Sequence, residues 1–169
     1  MYKRQALLSE AACPYVPNRD DNNITYSPLA ACGGTGEIRA GQIRPVTTYD
    51  QLLTEIRNNR PVVVGFTLSR SYMTNRGLVR HHDKVNKSAA TGRDAGGHAN
   101  LLVGYVKLPP SLAQEGRYCV ITANSWDLGW GRGGHACLTE TWLQTHLGMA
   151  VSVASVEMTD NGLSLYDLN

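Results

Sequence analysis

The sequence predicts an α+β domain made mainly of antiparallel strands. Three observations carry this prediction. Apolar, β-branched runs of strand length recur at Pro61–Leu68, Ala99–Lys107, Arg117–Asn124 and Ala150–Glu157. Only two stretches have the pattern of a helix, one after Thr48 and one over Thr139–His146. The order is one helix, several strands with long crossings, then a short helix, and no internal repeat or low-complexity segment interrupts it.

Taken in order, residues 1–36 read as a loop-rich lead-in. The polar run Asn18–Asn23 and the turn Gly33-Gly34-Thr35-Gly36 flank one short extended piece, Ile24–Tyr26. These glycines do not form a phosphate loop, because no strand leads in and no Lys-Ser or Lys-Thr follows. Thr48 with Gln51 fits a capping box, and Leu52, Leu53 and Ile56 give the helix one apolar side. Asn58-Asn59-Arg60-Pro61 stops it, and the Val-rich run that follows reads as a buried strand. Residues 74–97 read as a solvated polar loop. Its His81-His82-Asp83 is not expected to share a metal ion, since adjacent residues on an extended loop point apart. Pro109-Pro110 is expected to turn the chain between two strands, and Gly134–Leu138 to return as a hairpin partner. The last strand should bury alternate residues among Val151, Val153 and Val156. Residues 159–169 form a tail with no signal. The length of 169 residues is ample for one domain and short for two, so residues 1–169 are read as a single domain.

Composition narrows the function. Hydrophobic residues make up 42% of the chain, which supports a core; with one Phe, that core must be built from Val, Leu, Ile, Tyr and Trp. A net charge of +2 is too weak to suggest nucleic acid or an anionic membrane as partner. No apolar run reaches membrane-spanning length, and the N-terminus lacks the apolar core of a signal peptide. Four cysteines are too few for a disulfide scaffold, and none has zinc-type spacing, so neither metal nor cofactor is expected. Cys119 and Cys137 lie on two predicted strands, where they could face each other or remain buried thiols.

Two stretches carry chemistry. His98 opens the strand run Ala99–Lys107, and Asn124 closes the run Tyr118–Thr122. If the strands are neighbours, the asparagine carbonyl can hold one imidazole nitrogen and leave the other free to exchange a proton. The motifs Gly97-His98-Ala99 running into Leu101-Leu102-Val103-Gly104-Tyr105, Asn124-Ser125-Trp126-x-x-Gly129-Trp130-Gly131 and Gly134-His135-Ala136-Cys137-Leu138 together resemble the second half of papain-like cysteine peptidases. Leu7–Tyr15 is similar to that family's segment leading from the helical half into the β half.

The resemblance implies a papain-like fold, chiefly its barrel-like antiparallel β half, over most of residues 5–158. It implies that His98 is the catalytic histidine, that Asn124 orients it, and that Trp126 covers their contact. Gly65, Gly97 and Ala99 would lie along the substrate, which would be a polypeptide. His135 stands where the family usually has an aromatic residue and is expected to pack. The chemistry also needs a thiolate, best placed at a helix N-terminus. In the family that cysteine precedes the histidine by about 130–150 residues, which sets it about 30–50 residues before Met1. Cys13 is followed directly by Pro14, and Cys32 lies in a glycine turn, so neither suits the role.

The leading expectation is therefore the His/Asn half of a papain-like peptidase, inactive alone. It would be completed by a Cys-bearing half, another protein or a second copy. The alternative is a catalytically inactive papain-fold module that binds a protein. A third reading, acyl transfer with a different nucleophile, lacks a Gly-x-Ser-x-Gly elbow.

Overall fold

A computed structural model describes residues 38–88 and 96–158. They fall into two compact units, one of residues 44–153 and one formed by the described residues outside that range. The elements run in the order β1 (Ile38–Ala40), β2 (Ile43–Pro45), α1 (Tyr49–Arg57), β3 (Val62–Thr67), α2 (Arg70–Met73), β4 (Leu78–Val79), β5 (Gly97–Lys107), β6 (Tyr118–Ala123), β7 (His135–Thr139), α3 (Glu140–His146), β8 (Leu147–Val153) and β9 (Val156–Met158). In the smaller unit, β1 and β9 pair antiparallel, with Arg39 opposite Glu157.

The larger unit is built on one sheet of order β2-β8-β3-β5-β6-β7-β4. The ladders of β3 with β5 and β8, and of β6 with β5 and β7, are antiparallel, and β4 runs parallel to β7. Residues on β3 alternate, so Val62, Val64 and Phe66 turn inward while Val63 and Thr67 turn out. Leu52, Leu53 and Ile56 of α1 and Trp142 and Leu143 of α3 complete the core, with Leu102, Val120 and Leu138 from the sheet. Each such side chain contributes roughly 1.5–3 kcal/mol of burial.

The start of α1 follows its sequence. Thr48 accepts a hydrogen bond from Gln51 N at 3.2 Å, and the Gln51 side chain takes the Thr47 N–H at 2.9 Å. At the other end Asn58 caps the helix, and Asn59 adopts φ 56, a left-handed conformation that asparagine tolerates.

Several expectations need correction. The stretch 74–97 is not uniformly a solvated loop. Leu78-Val79 pairs with Cys137-Leu138 as β4, and Lys84–Ser88 form a 3-10 turn. A two-residue strand is too short to show alternation. Helix α2 is likewise too short for periodicity, although Ser69 caps it by accepting from Tyr72 N. Pro109-Pro110 does not simply turn the chain; it opens a 3-10 segment, Pro110–Glu115. The last strand is two strands, and on β8 Ala150 and Ser152 are the buried residues while Val151 and Val153 are half-buried. The register with β3 overrides the valine pattern, because Val62 and Val64 face Ser152 and Ala150. His135 is exposed, its Nδ1 within 2.9 Å of the Gly133 carbonyl, rather than packed.

Two covalent and polar fixtures hold the far strands. Cys119 and Cys137 form a disulfide with Cα atoms 5.4 Å apart, which resolves the open alternative at these positions. Glu115 is fully buried, and its carboxylate accepts from His81 N, His82 N and Thr139 Oγ1, each at 2.8 Å. Burial by itself would raise the Glu115 carboxyl pKa. The bonds from His82 N, Thr139 and His81 N, with His82 nearby, outweigh burial and hold it below the usual carboxylate value.

Replacing Cys119 and Cys137 together by serine should lower the unfolding free energy by about 3 kcal/mol, the loop-closure value for a loop of this size; urea denaturation measures this, and an unchanged midpoint would contradict it. Glu115 has a depressed folded-state pKa, so its stabilisation is present above the unfolded carboxylate pKa and fades as pH falls through the folded value. Glu115→Gln should therefore cost about 1–3 kcal/mol near neutral pH and flatten the acid limb of the stability curve. Thermal melts from acid to neutral pH test both effects.

Candidate active site

Strand β5 lies between β3 and β6, and this placement brings the chemistry together. Phe66 on β3 is opposite His98, and Ala123 on β6 is opposite Leu101. Extending the second register three residues past the end of β6 puts Trp126 level with His98, with Asn124 on the way. The chain there leaves the strand as a tight loop. Asn124 N donates to Gly134 O at 2.9 Å, Trp130 N to Asp127 O at 3.3 Å, and Gly134 N to Trp130 O at 3.0 Å. Gly131 has φ 62, and a Cβ there would collide with the His135 carbonyl oxygen, so no other residue fits without moving the loop.

His98 Nε2 and Asn124 Oδ1 are 2.8 Å apart. The amide oxygen can only accept, so Nε2 carries the proton and Nδ1 of the neutral ring is bare. Trp126 lies over this pair, its ring centroid 4.4 Å from the His98 centroid with the planes inclined by 39°. His98, Asn124 and Trp126 are each half-buried.

Gly65, Gly97 and Ala99 are placed differently. His98 shares the inward side of β5 with Asn100 and Leu102, whereas Gly97 and Ala99 point to the outer side. There Ala99 is opposite Gly65, which is also opposite Met149 on β8. A Cβ at Gly65 would come within 2.9 Å of Met149 Cγ, while Gly97 has open space beside it. The three predicted substrate-side residues therefore form an outer patch behind the imidazole, with Met149 as an added member.

An aromatic cluster behind His98 was not legible in the sequence. The Tyr72 ring is fully buried, 6.0 Å from the His98 ring and 5.6 Å from that of Trp126. Trp130 Nε1 donates to Tyr72 O at 3.1 Å, and Trp142 Nε1 to Ser69 Oγ at 2.8 Å, so both indoles are anchored to the α2 segment. Asn100, two residues beyond His98, donates through Nδ2 to Tyr72 Oη at 2.5 Å and Thr122 Oγ1 at 2.9 Å. Burial raises the Tyr72 hydroxyl pKa, with Asn100 opposing, so Tyr72 stays a neutral wall of the site. The available signal was Asn100 itself, a polar residue at a core position of an apolar strand. Among the described residues no cluster of His, Cys, Asp and Glu could hold a metal ion.

The comparisons bear on the family and the fold. The family model described as papain family cysteine protease matches residues 1–155. Among solved structures, the cysteine protease and lectin-like domains of Cwp84 from Clostridium difficile align with TM-score 0.66 at 12% identity, covering 94% of this chain and 35% of that one. The clostridial cysteine protease Cwp84 after propeptide cleavage aligns with TM-score 0.62 at 13% identity, covering 89% and 37%. A digestive procathepsin L 3 from Tenebrio molitor larval midgut aligns with TM-score 0.56 at 20% identity, covering 88% and 44%. These likenesses show the fold, and the chain spans less than half the length of each of these structures. No curated protein matches the chain.

Asn124→Ala should release the ring. Nitrogen-15 spectra of the imidazole should show one tautomer in the parent, with Nε2 protonated, and averaged nitrogen shifts in the variant. Identical spectra would mean that Asn124 does not hold His98.

Proposed function

The chain belongs to the papain family of cysteine proteases, and from that premise we propose that it supplies the histidine and asparagine of a Cys-His-Asn peptidase. The observation that carries this reading is the 2.8 Å contact between His98 Nε2 and Asn124 Oδ1 beneath Trp126. It leaves Nδ1 as the nitrogen available to a nucleophile.

The chemistry follows from that atom. A cysteine thiol beside Nδ1 transfers its proton to the imidazole, giving a thiolate–imidazolium pair. The thiolate attacks the peptide carbonyl, the imidazolium returns the proton to the leaving amine, and an acyl-thioester remains. Water, deprotonated by His98, then breaks the thioester and restores the thiol. Asn124 keeps the ring in one tautomer through both steps. Trp126 excludes water from the Asn124–His98 bond, which strengthens it.

The thiol must come from outside the described residues, because Cys119 and Cys137 are bonded to each other. Its source would be a helical, cysteine-bearing half or another protein meeting the edge that carries His98 and Trp126. A second reading is a papain-fold module that binds a polypeptide without cutting it.

Peptide turnover distinguishes the readings. The chain alone should not hydrolyse a fluorogenic peptide. Combined with a helical papain half bearing its cysteine, it should do so, and His98→Ala should then lower kcat/KM about a thousandfold or more. Turnover by the chain alone, lost on Cys13→Ser, would move the nucleophile into this chain. Binding of the added half without any turnover would favour the non-catalytic module.

A further inference from the structure

A cavity of about 1110 Å³ opens at the end of β5 remote from His98, between α1, the Pro110–Glu115 segment and α3. Lys107, on its wall, ends the strand that His98 begins. Nine residues of strand separate them, about 30 Å, so the cavity lies well away from the candidate active site.

Its charges are unevenly matched. The lining carboxylates Asp50 and Glu140 both serve Arg117, at 3.0 and 3.1 Å from its Nη2. Glu140 also accepts from Arg117 N at 2.7 Å. This is the close approach that Gly116 permits, since a Cβ there would overlap the Glu140 side chain. The other lining cations are Arg57 and Lys107. Among the described residues no carboxylate is paired with either. The Arg57 guanidinium lies over two rings, 5.2 Å from the centroids of both Tyr105 and Tyr118. Those contacts hold it in place while its N–H edge stays available, so a carboxylate can bind it bidentately with little further loss of side-chain freedom. Leu108, Pro109 and Pro110 give the rest of the wall an apolar surface.

We propose that this cavity docks an acidic segment of a polypeptide, with carboxylates on Arg57 and Lys107 and a neighbouring apolar side chain against the proline wall. A small inorganic anion would leave most of the volume and the apolar wall unused. A nucleic acid backbone, charged at every nucleotide, would also be driven against Asp50 and Glu140, whereas a peptide can carry carboxylates only where Arg57 and Lys107 stand. The proposal concerns binding and holds whether or not the chain is catalytic.

Fluorescence anisotropy with a labelled glutamate- and leucine-rich peptide tests it on the full chain. The peptide should bind, and added salt should weaken it. Its glutamine isostere should bind at least about tenfold more weakly. Arg57→Glu with Lys107→Glu should remove binding, whereas Lys84→Glu should leave it unchanged. Should the double reversal perturb folding by circular dichroism, Lys107→Gln alone, at an exposed position, should still weaken binding severalfold. Equal affinity for the isostere, indifference to both Arg57 and Lys107 substitutions, or displacement of the peptide by inorganic phosphate at its own binding strength would overturn the proposal.

Discussion

The register of β5 against its two neighbours is the constraint on which the rest depends. With Leu101 opposite Ala123 and Phe66 opposite His98, the strand turns His98, Asn100 and Leu102 inward and Gly97, Ala99 and Leu101 outward. A slip of one residue would exchange these sets. It would carry the imidazole away from Asn124 and push Ala99 into the core. Apolar burial enforces the register: Leu102 on β5, Val62 and Val64 on β3 and Val120 on β6 are all fully buried and cannot turn outward without losing several kcal/mol. Ordinary side chains with no chemistry of their own thus fix the one hydrogen bond on which the proposed chemistry rests.

Buried polar groups then hold the irregular chain around this sheet. Glu115 ties His81 and His82 to β7, Glu140 ties the approach to β6 to α3, and Asn100 ties β5 and β6 to Tyr72. Each would be costly if left unpaired. The two glutamates take backbone N–H groups from loop segments, so they satisfy donors that no strand partner reaches. Tyr72 extends the effect to the site, since its ring and carbonyl contact His98, Trp126 and Trp130. The α2 segment, four residues long, is therefore a structural backing for the imidazole.

Legibility in the sequence followed the range of the forces involved. Helix α1, strand β3 and the two motif strands were readable because capping, breaking and apolar runs are local. The His98–Asn124–Trp126 set was readable because Asn124 and Trp126 share one contiguous loop, with Gly131, Gly133 and Gly134 at three of its positive-φ positions and Asp127 at another. Strand β4, the 3-10 turns and the buried side of β8 were not readable. Leu78-Val79 is a strand only because β7 lies beside it, and Val151 and Val153 yield the core to Ala150 and Ser152 only because β3 sets the phase. No local signal marks Glu115; its burial depends on N–H groups from His81 and His82, more than thirty residues earlier in the chain.

The two ends of β5 present different kinds of recognition. At the His98 end, directional groups are held by neighbours that leave them no alternative: Asn124 Oδ1 fixes Nε2, and Trp126 limits water. Such an arrangement suits reaction geometry, where a small displacement of the ring changes the outcome. At the Lys107 end the cations are positioned more loosely, with Arg57 resting on aromatic faces and Lys107 exposed to solvent. Cations over aromatic faces attract an anion while tolerating variation in its exact placement, which suits capture of a flexible chain.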